Sequence, residues 1–299
     1  MFKFGKKKTK KSCCRFFQPV KRLLGSKRFW FYVCLLAAAF VVWQYFLPAP
    51  LEGNWQPHTA VMPTVEIKGH LATVYNVRNF RYSGEEEASQ IDYYNRTYDL
   101  DKLQKIWFVT EPFSQSRNAA HTFLSFEFSD GKYLAISIEA RKVVGQTYGI
   151  FRGLFRVYPL MYIATDERDA ILARANVRHH DVYLYPVKTT PDKARAILTD
   201  MLLTMNDLIV HPRWYNTITA NCTSLIAGHV NRVTPGKLPF WSWRLLFTGH
   251  ADELALKAGL LDTDLNIGQA RLKYNISPFS REIGDVPDYS QKIRQSISK

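Results

Sequence analysis

Cysteine is scarce in this chain, which has four cysteines in 299 residues. Cys13 and Cys14 stand in a basic tail and Cys34 in an apolar run, so Cys222 is the only thiol that follows. The count excludes a disulfide-dense secreted scaffold, and Cys222 has no disulfide partner in the same part of the chain. An exported free thiol is open to oxidation, so its presence favours a use.

Several motifs are lacking as well. The sequence has no HExxH or CxxC pair, no phosphate-binding loop and no dinucleotide fingerprint, so we predict neither a metal nor a cofactor. It also has no G-x-S-x-G elbow, and a serine hydrolase is therefore unsupported. No helix-turn-helix, zinc-finger or RNA-binding signature is present, and we predict no nucleic-acid partner.

Acidic residues are absent from residues 1–28, which hold eleven lysines and arginines. The formal charge of +14 therefore leaves only +3 for the remaining 271 residues. The basicity belongs to the tail and does not indicate a basic binding surface on the folded part.

Residues 29–47 form an apolar run that no charge interrupts, with aromatic residues at both ends. As a helix it would measure roughly 28 Å, about one hydrocarbon core. The pattern predicts a cytoplasmic tail over 1–28, a transmembrane helix over 29–47, a stiff proline-containing linker over 48–64 and an exported domain over 65–299. A single-pass protein of the bacterial inner membrane with a periplasmic domain follows. A signal peptide cleaved after Ala37-Ala38-Ala39 is the alternative.

The periodicity beyond the linker predicts a mixed α+β domain that buries one large core or two small ones. Strands are predicted at 65–82 and 182–185, a loop at Glu85–Glu87, and a short helix leading into a strand at 99–108. Helices are predicted at 166–176, from Thr190-Pro191 with an apolar stripe to Ile209, from about Asn221, and at 251–261.

Residues 121–139 give the clearest hairpin in the chain. Two arms rich in aromatic and β-branched residues flank Ser129-Asp130-Gly131, and Gly131 suits the left-handed position of a three-residue loop. That loop pairs Phe128 with Lys132 and places Glu139 opposite His121. A two-residue loop would place Ala140 there instead.

A cysteine nucleophile needs a lowered thiol pKa, a base and a group that orients the base. Cys222 at a helix start, His121 on a strand and Glu139 across from it are the candidates. Asn221 is a good N-cap, and backbone N–H groups of that first turn are suited to an oxyanion. The competing interpretations are a core cysteine, a structural histidine and a surface ion pair of Glu139 with Arg141.

The order of motifs along the chain resembles that of a circularly permuted papain-like fold, as in lecithin:retinol acyltransferase and permuted NlpC-type enzymes. A strand with a histidine comes first, then a strand with an acidic residue, and then Asn-Cys-Thr at the start of a helix. Several blocks resemble the periplasmic domain family typified by the N-terminal domain of Lnb, a bacterial lipoprotein N-acyltransferase. These blocks are Asn76–Phe80, His121–Phe126, Ser137–Arg141, Asp166–Asp169, Tyr215–Thr217 and Asn221–Thr223.

The resemblance implies an antiparallel sheet packed on helices and an acyl group held as a thioester on the cysteine, then passed to an amine or to water. On this chain it implies Cys222 as nucleophile, His121 as base and Glu139 as third member. The residues that it implies for the oxyanion or for support are Asn221, Thr223, Ser137, Arg141 and Tyr215.

Three functions remain open from the sequence. The first is a membrane-anchored thiol acyltransferase acting on a membrane lipid or lipoprotein. The second is a cysteine amidase or peptidase acting on peptidoglycan or a peptide, and the third is a non-catalytic envelope scaffold. We also expect some apolar residues to face acyl chains or the bilayer, against ordinary packing as the alternative: Phe151, Leu154, Phe155, Phe240, Trp241 and Trp243. The oligomeric state is left open.

Overall fold

The computed structural model describes residues 25–83, 88–113, 118–239 and 241–298. The predicted basic tail as far as residue 24, the predicted loop at Glu85–Glu87 and Phe240 lie outside the described residues. The chain divides into two compact units, Met1–Pro48 and Ala49–Lys299.

The first unit contains helix α1 (Lys27–Phe46), which covers most of the predicted apolar run. In the part of the chain that the structure describes, no helix is long and apolar enough to cross a membrane. The predicted transmembrane segment at 29–47 is therefore not confirmed.

The second unit is built on an eight-stranded sheet, in the order β1-β2-β7-β6-β5-β4-β8 with β3 added beside β2. All pairs are antiparallel except β2 with β7. This confirms a mixed α+β fold with a large sheet. The strands are β1 (Thr64–Lys68), β2 (Leu71–Arg78), β3 (Tyr93–Asp99), β4 (Leu103–Pro112), β5 (Ala120–Phe128), β6 (Tyr133–Ala140), β7 (Leu160–Thr165) and β8 (Tyr183–Pro186).

The β5–β6 hairpin has the predicted register. Phe123 pairs with Ser137 and Phe126 with Leu134, and the Phe128 N–H donates to the Lys132 carbonyl at 3.0 Å. Gly131 has φ +79°, which an L side chain adopts only with strain. Because side chains alternate along a strand, this register sets which residues of the two strands share a face.

Helices cover the sheet. They are α2 (Glu167–Leu172), α3 (Pro191–Val210), α4 (Cys222–Val233), α5 (Trp243–Leu246), α6 (Ala251–Lys257), α7 (Ile267–Tyr274), α8 (Ser277–Ile283) and α9 (Tyr289–Ile297). The predicted helix at 166–176 continues beyond α2 as a π-helix (Ala173–Val177), and the one at 251–261 ends at Lys257.

Helix α3 shows how the sequence pattern becomes packing. Its apolar stripe from Ala194 to Leu208 is buried, as predicted, while Ile209 is half-buried. The helix packs against β1, β4 and α4. It begins with Thr190, whose side chain accepts from the Lys193 N–H, followed by Pro191 at its first position.

Residues 49–63, most of the predicted stiff linker, form an N-terminal strap and belong to the second compact unit. The Arg141 guanidinium donates to the backbone carbonyls of Leu51, Thr59 and Ala60 at 2.7–2.9 Å and lies 4.3 Å from the Trp55 ring centroid. Three carbonyls and an aromatic face satisfy this buried cation, so the segment is held down.

Two of the blocks that carry the family resemblance serve the scaffold. Asp169 is fully buried and takes two hydrogen bonds from Arg78, at 2.9 and 3.1 Å, which joins α2 to the end of β2. Glu167, also fully buried, pairs with Arg294 of α9 at 2.7 Å. Buried charges that pair in this way hold elements that are distant in sequence in one arrangement.

Candidate active site

The start of α4 carries the candidate nucleophile of the site. Asn221 caps this helix by accepting from the Ser224 N–H at 2.8 Å, while Ser224 Oγ accepts from the Asn221 N–H at 2.9 Å. This capping box makes Cys222 the first residue of the helix, as predicted from the sequence. The helix dipole therefore favours the thiolate form of Cys222.

His121 and Glu139 meet across the hairpin, as the predicted register requires. His121 Nε2 lies 3.1 Å from Glu139 Oε1 and 2.6 Å from Ser137 Oγ. The Ser137 hydroxyl donates to Glu139 Oε1 at 2.7 Å. Glu139 and Ser137 thus fix the Nε2 edge of the imidazole.

Cys222 and His121 are both buried, and each shifts the pKa of the other. Burial by itself would lower the pKa of His121, but Glu139 and Cys222 together raise it to about 9. Burial would likewise raise the pKa of the Cys222 thiol, but the hydrogen bond and charge of His121 hold it below its usual value. The two groups therefore favour each other's charged forms, a thiolate beside an imidazolium.

Glu139 remains an anion in this pair. Burial would raise the pKa of its carboxyl group, but His121, Arg174 and the Ser137 hydroxyl hold it well below its ordinary value. A carboxylate at this position stabilises the imidazolium and keeps its ring in place.

Arg174 and Glu111 extend the site, and the sequence reasoning missed both. The Arg174 guanidinium lies 2.7 Å from Glu111 Oε2 and 3.4 Å from Glu139 Oε1, and it covers the ring of Phe123. Glu111 stands directly opposite His121 in the β4–β5 pair. A register between β4 and β5 would have revealed Glu111, but no short turn in the sequence sets that register.

The N-terminal strap brings His58 near Glu139, a further residue that the sequence did not single out. Burial is the main cause that lowers the pKa of His58 to about 4, and the opposing influence of Glu139 does not reverse it. His58 is therefore neutral at physiological pH and adds no charge beside Glu139.

The predicted supporting residues divide into two groups. Thr223 Oγ1 lies 3.0 Å from Thr122 Oγ1 and 3.9 Å from the Cys222 sulfur, and Thr122 helps to lower the pKa of the Cys222 thiol. Tyr215 is buried close enough to Cys222 that burial, and then the thiolate charge, raises the pKa of its hydroxyl. Together with Ser137, these residues surround the reactive pair.

Asn221 and Arg141 have other tasks. The Asn221 amide donates to the carbonyls of Thr217 and Leu245 and its oxygen caps α4, so its side chain holds the helix start in place. The Arg141 guanidinium donates its hydrogen bonds to the strap carbonyls. The first N–H groups of α4, at Cys222 and Thr223, lack helical acceptors and are the groups suited to an oxyanion.

Within the described ranges, no group of three or more histidine, cysteine or acidic side chains is arranged to hold a metal ion.

A mixed α+β domain with a histidine and a glutamate in contact, and with a buried cysteine that shares an electrostatic interaction with the histidine, defines the class of site. The chain matches the Lnb N-terminal periplasmic domain over residues 89–249, more than half of its length, and it belongs to that family. The match spans Cys222, His121 and Glu139. No curated protein and no solved structure matches the chain. The family indicates a periplasmic domain, as predicted from the sequence.

Proposed function

We propose that this domain is a thiol acyltransferase with a permuted papain-like arrangement, which takes an acyl group from a lipid ester and passes it to an amine. The buried Cys222 thiol at a helix start, whose pKa His121 lowers, together with the contact of His121 with Glu139, carries the proposal. A core cysteine has no need of an imidazolium partner or of a carboxylate behind it. Membership of the Lnb N-terminal periplasmic domain family supports a lipoprotein as the acceptor.

The first half of the reaction forms a thioester. The Cys222 thiolate attacks the ester carbonyl, and the oxyanion that forms is held by N–H groups at the start of α4. As the carbon–oxygen bond breaks, the His121 imidazolium gives its proton to the departing alkoxide. The products are an acyl-Cys222 thioester, a lyso-lipid with a free hydroxyl and a neutral imidazole.

The second half transfers the acyl group. An amine attacks the thioester carbonyl, neutral His121 takes the proton from the nitrogen, and the carbon–sulfur bond breaks to give an amide and the Cys222 thiolate. Cys222 is only 5% exposed. Limited access of water to the sulfur favours aminolysis of the thioester over its hydrolysis.

The test uses the purified full chain in detergent micelles with a diacylated lipopeptide that has a free N-terminal amine. We expect tandem mass spectrometry to find one acyl group moved from the glyceryl ester to the N-terminal nitrogen. The Cys222→Ala variant should give no such product. Acyl loss with the amine left free would show hydrolysis, and cleavage of the peptide chain would favour the amidase; either result would overturn acyl transfer.

Arg174 should act as a positioning residue in this reaction. We expect Arg174→Gln to lower kcat by about 10²-fold with little change in KM, because Glu139 loses a cationic neighbour and the imidazole loses alignment. The alkaline limb of the pH–rate profile should also move to higher pH, because Glu139 stays ionised there and the His121 imidazolium loses the repulsion of a nearby cation.

The Arg174→Lys variant is the matched control, because it keeps the charge and should recover part of the rate. A merely structural arginine would change the amount of folded protein and leave the pH profile of the folded fraction unmoved. That outcome would contradict a positioning role.

A further inference from the structure

Exposed apolar side chains are concentrated on two segments of the second unit. Phe151 and Trp241 are the most exposed apolar residues of these two segments, at 80% and 81%. We define the apolar rim as these two residues with their exposed neighbours on the same segments: Ile150, Phe155, Trp243, Leu246 and Phe247. Large aromatic residues in such number are unusual on a surface that faces only water.

The first segment of the apolar rim is bonded to the chain that leads into Cys222. The Thr217 N–H donates to the Gly153 carbonyl at 3.1 Å, and the Thr217 hydroxyl donates to the Ile150 carbonyl at 2.9 Å. These bonds place Ile150 and Phe151 beside the approach to the thiol.

The second segment borders both the cysteine and the histidine. The Asn221 amide donates to the Leu245 carbonyl at 3.1 Å, next to Cys222. The Ala120 N–H donates to Thr248 Oγ1 at 2.9 Å, next to His121. The apolar rim therefore stands on two sides of the candidate active site.

The charge of these segments is of one sign. Neither residues 140–165 nor residues 208–251 contain an aspartate or a glutamate. The two stretches hold eight basic residues: Arg141, Lys142, Arg152, Arg156, Arg213, Arg232, Lys237 and Arg244. Some of them pair with carboxylates of other elements, as Arg232 does with Asp200, but Arg152 is exposed directly beside Phe151.

We infer that the apolar rim is a docking surface for an anionic lipid bilayer. Tryptophan and phenylalanine side chains settle at the boundary of headgroups and acyl chains, and nearby lysines and arginines are drawn to anionic headgroups. This inference rests on the proposed function. It explains how a lipid ester could come to a buried thiol, because the apolar rim would hold the bilayer next to the candidate active site.

The test uses the full chain with Cys13, Cys14 and Cys34 changed to serine and with Cys222→Ala. A single nitroxide label is attached at Phe151→Cys, at Trp241→Cys or, as the control, at Leu272→Cys, which replaces an apolar residue that is 84% exposed and outside both stretches. Each variant is reconstituted in vesicles of phosphatidylcholine with phosphatidylglycerol. Power saturation then compares collisions with oxygen, which concentrates in lipid, and with an aqueous nickel chelate.

We expect oxygen collisions to dominate at positions 151 and 241 and nickel collisions to dominate at 272. Vesicles of phosphatidylcholine alone should weaken the difference, because the anionic headgroups are gone. Helix α1 is common to all three variants and so cannot cause the difference between them.

Two outcomes would overturn the inference. One is a label at 151 and 241 that is as accessible to nickel as the label at 272 in anionic vesicles. The other is spin–spin broadening at 151 and 241 without lipid, which would assign the surface to a second copy of the chain. Because Cys222 is absent here, and because acyl transfer is measured in micelles, failure of docking and failure of the proposed chemistry are separate results.

Discussion

Replacing His121 by asparagine is expected to remove most of the reactivity of Cys222. The imidazolium is the group that lowers the pKa of this buried thiol, and burial alone would raise it. Without His121 we expect the alkylation rate of Cys222 at pH 7 to fall at least about tenfold, since the thiolate fraction falls tenfold for each unit that the pKa rises. Acyl transfer should fall further, by about 10²- to 10⁴-fold, because the proton donor and acceptor is lost too.

The rates of alkylation and of acyl transfer in the native chain should depend on pH in different ways. Alkylation should rise with pH through the lowered thiol pKa and then stay level, because a thiolate reacts whether or not His121 is charged. Acyl transfer should rise over the same range and then fall above about pH 9, where His121 loses the proton that the leaving alkoxide needs. In His121→Asn, the rise of alkylation should move to higher pH.

The measurement is the rate of iodoacetamide labelling against pH, in a background where Cys13, Cys14 and Cys34 are serine. His211→Asn is the matched control, because His211 is exposed at the end of α3 and should leave the profile unchanged. If Cys222 of the native chain titrated like an ordinary thiol near 8.5, the ion pair would be absent and the case for a scaffold would be stronger.

Asp169→Ala should produce the largest loss of stability among single substitutions in the scaffold. Burial alone would raise the pKa of Asp169, yet Arg78 holds it low, which shows that the carboxylate is paired rather than neutral. Its removal leaves Arg78 charged and buried, and the Phe80 N–H and the Tyr82 hydroxyl lose an acceptor. We expect the free energy of unfolding to fall by about 3–5 kcal/mol.

Urea unfolding followed by fluorescence measures this loss. Asp101→Ala is the control, since it breaks an exposed ion pair with Arg195 and should cost at most about 1 kcal/mol. The double variant Arg78→Met with Asp169→Leu should lose less than the sum of the two single changes, because no unpaired charge remains. Equal losses for Asp169→Ala and Asp101→Ala would show that the buried pair does not stabilise the fold.

Local features of the site were predictable because neighbouring residues encode them. Asn221 followed by Cys222-Thr223-Ser224 is a capping sequence, and the helix begins where it predicts. The three-residue loop ending at Gly131 sets the register that brings His121 to Glu139. Proline content indicates the stiffness predicted for residues 48–64, but it cannot show that Arg141 binds the carbonyls of the strap.

The sequence by itself determined the start of the cysteine helix and the pairing of the histidine with the glutamate, since each depends on a short local signal, a capping sequence in one case and a three-residue hairpin loop in the other. Only the tertiary structure decided that Cys222 lies near His121. Thr223, which follows Cys222, is hydrogen-bonded to Thr122, which follows His121, and these two threonines are 101 positions apart in the sequence. It also decided that Arg174 lies between Glu139 and Glu111. The physical reason is that such encounters depend on how helices pack on the sheet, and no local propensity specifies that packing.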